Sequence, residues 1–136
     1  MIQSGLPDIL FVHLPDVDTA GHLTGWMSSG QMAAIAAADG YVGQIVAALD
    51  ANGYRNQTLI MITSDHGGDG KVHGEELNKP LDRTIPWLAV GPGVRAGIQL
   101  TGTVNVYDTA ATALYALQLP IPPEWDGRPV VEIYGP

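Results

Sequence analysis

The sequence predicts an α/β fold with a mostly parallel sheet, and three observations predict it. Short apolar runs alternate with stretches of helical periodicity. The runs are nearly continuous rather than alternating, as in strands covered on both faces. Polar residues able to do chemistry follow directly after the runs, and sites in open α/β sheets lie beyond the carboxyl ends of the strands.

Taken in order, residues 8–14 (DILFVHL) form the first strand-like run, closed by Pro15. Residues 15–25, rich in Asp, Gly and Thr, read as a loop. A helix is predicted from Ser28 or Ser29, either of which can cap it. Met32, Ile35, Val42, Ile45, Val46 and Leu49 share one helical stripe, and Asn52-Gly53 ends it. Asp39 falls on that stripe too, and as a buried carboxylate it is expected to hydrogen-bond a neighbouring loop. Residues 58–63 (TLIMIT) make a second strand, followed by the polar, glycine-rich residues 64–74. Residues 85–90 (IPWLAV) make a third, stopped by Gly91-Pro92-Gly93. Val104 is expected in a short edge strand. A last helix runs over residues 108–117, ahead of the proline-rich residues 120–123.

A chain of 136 residues is long enough to bury a core as one domain, and no repeat or internal boundary divides residues 1–136. Apolar residues make up 46% and charged residues 15%, a globular rather than a disordered balance. The formal charge of -8 argues against nucleic-acid polymers, whose phosphates call for a basic surface. Only 6 Lys and Arg are available to an anionic membrane, no apolar run is expected to span one, and MIQSGL does not read as a signal peptide. The compartment stays open. With 0 cysteines, disulfides, thiolate zinc sites and cysteine nucleophiles are all excluded, so any metal must sit on histidine and carboxylate.

Two polar clusters follow apolar runs: Asp18-Thr19-Ala20-Gly21-His22 and Ser64-Asp65-His66-Gly67-Gly68, with His73-Gly74 shortly after the second. His22, His66 and His73 with Asp18 and Asp65 make a nitrogen-and-oxygen ligand set suited to zinc or manganese. Gly21, Gly67, Gly68 and Gly74 permit tight turns beside them. An Asp and a His four apart, taken alone, fit a solvated loop better than a metal site. The order of all three elements together is far more specific.

That ordered pair, Asp-x-x-Gly-His and then Ser-Asp-His-Gly-Gly, resembles the alkaline phosphatase superfamily, and most closely its type I phosphodiesterase/nucleotide pyrophosphatase branch. The similarity continues through Arg83-Thr84-Ile85-Pro86-Trp87, Gly91-Pro92-Gly93-Val94, Tyr107-Asp108-Thr109-Ala110-Ala111-Thr112 and Asp126-Gly127-Arg128-Pro129-Val130. It covers nearly the whole chain and corresponds to the C-terminal portion of the family's catalytic domain. The resemblance implies a partial three-layer α/β/α sandwich and metal-dependent hydrolysis of phosphoric esters of small molecules. It implies two divalent ions, usually zinc, one on Asp18, His22 and His73 and the other on Asp65 and His66. The family completes the second site with a further Asp and a Thr or Ser nucleophile, and neither has a matching position in this sequence. No catalytic nucleophile is therefore assigned.

Other candidates carry blander expectations. Asp16 is expected to be solvated or to support the ligands, and His13 to be a core histidine or a support for the ligands. Lys71, Glu75 and Glu76 are expected to be loop-solvating, and Thr63 and Ser64 to be structural. Trp87 and Trp125 are expected in packing. Two rival functions stand beside the hydrolase: a phosphomutase or sulfatase relative sharing the ligands, and a non-catalytic metal-binding or interaction module. The last would hold about one tightly bound ion, since three ligands plus water are a normal zinc arrangement. A partial sheet is also expected to leave an open edge, favouring self-association or docking with an N-terminal segment.

Overall fold

The structure, a computed structural model, describes residues 5–74 and 79–135. Its regular elements are α1 (Asp16–Thr24), α2 (Ser29–Ala51), β1 (Ile60–Thr63), α3 (Pro80–Arg83), β2 (Trp87–Val90) and α4 (Asp108–Ala116). Single 3₁₀ turns add Arg55–Gln57 and Val131–Ile133. The α/β character is as expected.

The first departure is at the start. Residues 8–14 join no strand, and Phe11 is 85% exposed, with Ile9, Leu10 and Val12 exposed beside it. His13 is exposed as well, which corrects its reading as a core residue. An apolar run becomes a strand only when another backbone satisfies its N–H and C=O groups, and none of the described residues does so here.

The second departure is α1, which occupies the expected loop. Its first turn is stabilised by Thr19, whose N–H and Oγ1 both donate to the Pro15 carbonyl at 3.1 Å. Asp16 and Asp18 lie in the first turn and His22 in the last, complementing the helix dipole. The helix closes at Gly25, which has φ +101° and donates to the Gly21 carbonyl.

Ser28 caps α2, its Oγ accepting from the Gln31 N–H at 3.2 Å. Gln31 is buried between the two helices. It donates from Nε2 to the Val17 carbonyl and accepts from the Met27 N–H, fixing α1 on the first turn of α2. Along the predicted stripe Leu49 is buried and Val42, Ile45 and Val46 are half-buried, but Met32, Ile35 and Asp39 are exposed. Asp39 thus needs no buried partner. By length and composition α2 could cross a membrane, with 23 residues and a mean hydropathy of 1.5, contrary to the expectation that no run would. Packed helices of soluble proteins meet the same criterion.

β1 and β2 pair antiparallel, from Ile60 opposite Val90 to Thr63 opposite Trp87, and not in the parallel sheet expected. Apolar runs of this kind carry burial information and no direction, so the pairing sense lay outside what they encode. Ile62, Leu88 and Val90 are exposed, so the two strands are not covered on both faces. Val104 belongs to no strand.

The core gathers around α4, where Ala111 and Thr112 are buried with Val130 and Ile133. Thr112 Oγ1 donates to the Asp108 carbonyl at 2.7 Å and accepts from the Val130 N–H at 2.9 Å. Replacing Thr112 by valine keeps the shape but orphans a buried N–H. Stability to urea is expected to fall by about 1–3 kcal/mol. A wild-type midpoint would show that water satisfies Val130 instead. Trp87 Nε1 donates to Thr109 Oγ1 and ties β2 to α4, whereas Trp125 is exposed rather than packed. Glu132 accepts from the Thr101 N–H and Oγ1, and the backbone bond above all holds its carboxyl below the usual range. This contribution is present above the unfolded pKa and fades as pH falls through the folded one.

Candidate metal centre

Helical spacing builds the first half of the site. Asp18 and His22, four apart on α1, project from the same face. The loop after β1 brings His66 and His73 against them. Asp18, His22 and His73 each offer one ligand atom, all within 4.8 Å of one another.

Asp18 Oδ1 is the centre of the group. It lies 3.5 Å from His22 Nε2, 3.7 Å from His73 Nε2 and 3.8 Å from His66 Nε2. His22 Nε2 and His73 Nε2 are 3.1 Å apart, and the His66 and His73 rings stack with centroids 3.6 Å apart.

The outer ring nitrogens set the tautomers. His22 Nδ1 lies 2.9 Å from the Lys71 carbonyl and His66 Nδ1 lies 2.8 Å from the Gly67 carbonyl. A carbonyl only accepts, so each Nδ1 must carry the proton. In the neutral ring Nε2 is then a bare lone pair turned toward Asp18, the arrangement in which histidines bind metals.

Asp18 Oδ1 is buried and accepts no hydrogen bond from the described residues. A buried carboxylate oxygen facing the Nε2 lone pairs of His22 and His66 is electrostatically unfavourable unless positive charge sits among them. Two atoms each about 2.1 Å from a shared tetrahedral ion lie roughly 3.4 Å apart, which matches the spacings here. The donor set fits a divalent cation.

Asp65 stands at the edge. Its side chain is exposed, with Oδ1 accepting from the His66 N–H and Oδ2 lying 3.5 Å from His66 Nε2. His66 therefore lies between Asp65 and Asp18. Asp16 is exposed, as its solvated reading requires. Lys71 is not merely solvated: its Nζ donates to the Leu23 carbonyl at the end of α1. Thr63 Oγ1 donates to the Pro86 carbonyl, a strand-end structural role. Glu75 and Glu76 lie outside the described residues.

Two contributors are missed by sequence reasoning. Trp26 donates its backbone N–H to the Gly70 carbonyl and sets its indole edge-on to His22 and His73, with ring centroids 5.1 and 5.7 Å away. A Cβ on Gly68 would run into that indole, so Gly68 is needed for space. Gly74, by contrast, has φ +73° and is needed for its backbone. Asp82, buried on the short helix α3, accepts from the Gly74 N–H at 2.8 Å. Neither residue lies in a ligand-like cluster, and nothing in a lone Trp or Asp marks it in sequence.

Several known proteins are similar to this chain. Arylsulfatase K of Danio rerio is 33% identical over 79 residues, covering 56% of this chain and 15% of its own length. Arylsulfatase K of Xenopus laevis is 32% identical over 95 residues, covering 68% of this chain and 18% of its own length. The 2,3-bisphosphoglycerate-independent phosphoglycerate mutase of Rhodopirellula baltica is 31% identical over 136 residues, covering 96% of this chain and 24% of its own length. The chain thus spans a quarter or less of these relatives. No solved structure gives a significant match. The type I phosphodiesterase/nucleotide pyrophosphatase family profile matches residues 3–120, and the chain belongs to that family, within the alkaline phosphatase superfamily.

Proposed function

We propose that this chain supplies a divalent-cation centre for hydrolysis of phosphoric esters of small molecules, phosphodiesters first among them. One observation carries the reading: three imidazole Nε2 atoms converge on the buried Asp18 Oδ1, which accepts no hydrogen bond from the described residues. Asp18, His22 and His73 would hold one ion, zinc or alternatively manganese. His66 and Asp65 are the ligands this chain offers to a second. Bound there, such ions act as Lewis acids toward a phosphoryl oxygen and lower the pKa of bound water. The chain's own residues supply the rest. Lys71 and Gly67 carbonyls orient the rings, and Trp26 walls one side of them. No nucleophile is assigned. The family membership supports reading residues 1–136 as one domain of an alkaline-phosphatase-like fold.

Dialysed against zinc, the chain is expected to keep about one firmly held ion, as a three-ligand site does. His22→Ala and His73→Ala are expected to lose it. A chain that holds none, or variants that hold as much as wild type, would overturn the metal reading. The substrate class is tested on an aryl phosphodiester, an aryl phosphomonoester and an aryl sulfate with zinc or manganese supplied. The likeness to arylsulfatase K and to the mutase favours a second reading, a sulfatase or phosphomutase relative. Preference for the sulfate ester, or transfer without hydrolysis, would favour that reading.

A further inference from the structure

We infer that Asp82 is the positioning residue of the centre, a clamp that holds the two histidine-bearing loop segments at a fixed separation. The inference rests on the metal reading above. Asp82 belongs to α3, a helix of four residues set between the loop and β2. Its side-chain Oδ2 accepts from the Gly74 N–H at 2.8 Å, directly after His73. Its backbone carbonyl accepts from the Gly67 N–H at 2.7 Å, directly after His66. One residue thus binds the backbone next to both stacked imidazoles.

The surroundings fit that role. Asp82 is buried, so its own end of each bond is shielded from competing water. Gly67 lies so close to the Leu81 carbonyl that a Cβ would overlap it, and α3 is therefore the back wall of the His66 segment. Asp82 Oδ1 is buried and has no hydrogen-bond partner among the described residues. A carboxylate kept in that condition is costly for folding alone, and the fold retains it where the two segments must be registered. Asp82 touches no ligand atom in these contacts; it acts through backbone.

Zinc affinity of the full chain, measured by competition with a chelating dye, is the first readout. Far-UV circular dichroism and amide hydrogen exchange at Gly67 and Gly74 accompany it. Asp82→Ala is expected to weaken zinc about 10–100-fold, the usual effect of losing a residue that orients metal ligands, with the helical signal retained. Asp82→Asn keeps an oxygen for the Gly74 N–H and is expected to stay within about threefold of wild type. In the wild-type chain both amides are expected to exchange slowly, as clamped groups do. Wild-type affinity in Asp82→Ala would overturn the inference, and so would fast exchange at both glycines. If Asp82→Ala does not fold, Asp82→Asn decides: retained affinity and Gly74 protection support the clamp, and a folded variant that has lost either refutes it. His22→Ala is the control for the underlying reading. Should zinc binding survive that change, the metal centre fails; should it vanish while Asp82→Ala binds normally, only the clamp fails.

Discussion

Replacing Asp18 by asparagine is expected to weaken zinc binding more than about 100-fold, beyond the cost of losing a residue that merely orients ligands. The same substitution is expected to leave the metal-free chain as stable as before or slightly more so. Asp18 Oδ1 is buried without a hydrogen bond among the described residues. An amide removes the uncompensated charge and offers an N–H to the surrounding ring nitrogens. The gain is bounded at about 1 kcal/mol because the rest of the side chain reaches solvent. Zinc at a hundredfold excess over Kd stabilises a binding-competent protein by about 2.7 kcal/mol. Thermal melts with and without zinc therefore separate the two effects. Wild type gains a large shift and Asp18→Asn gains none. A zinc-dependent shift surviving in the variant would mean the ion sits elsewhere.

Gly67→Ala is the second large effect. The new methyl group has no room, because the obstacle is the Leu81 carbonyl, with the Thr84 carbonyl 3.1 Å away. Backbone cannot rotate aside as a side chain can. The loop must move, and the Gly67 N–H bond to Asp82 goes with it. The expected loss is about 3 kcal/mol in urea unfolding, at the upper end of overpacking. Gly40→Ala is the matched control. Gly40 lies inside α2 with open space around its Cβ position, so alanine is expected to stabilise by about 1 kcal/mol through helix propensity. Opposite signs for one added methyl would show that local space decides. A Gly67→Ala change under about 0.5 kcal/mol would show the α3 contact to be soft.

The candidate cluster was legible because Asp18, His22 and His73, picked out by residue type, order and spacing, do come together in the structure. Capped or strongly patterned elements were legible too: α2 has Ser28 and Asn52 at its ends, and β1, β2 and α4 lie where their apolar residues put them. α1 was not. Its nine residues, DVDTAGHLT, carry few large apolar side chains and include Gly21, so they read as loop. Yet the four-residue step from Asp18 to His22 is itself helical spacing, and the ligands were the evidence for the helix. Residues 8–14 failed for the opposite reason, having ample apolar content and no pairing partner among the described residues. Strand direction, the Trp26 wall and the Asp82 bonds are all properties of distant chain segments meeting. No local window contains them.

The links between α1 and the loop after β1 join residues about fifty positions apart, through His22 to Lys71, Lys71 to Leu23 and Trp26 to Gly70. A cation shared by Asp18 and His73 would close that same stretch of chain. On the chain-entropy scale used for covalent cross-links, fixing a loop of this size is worth roughly 4 kcal/mol. These 136 residues, which hold no cysteine, would thereby gain the equivalent of a disulfide, one that forms and dissolves with the ion supply rather than with redox potential.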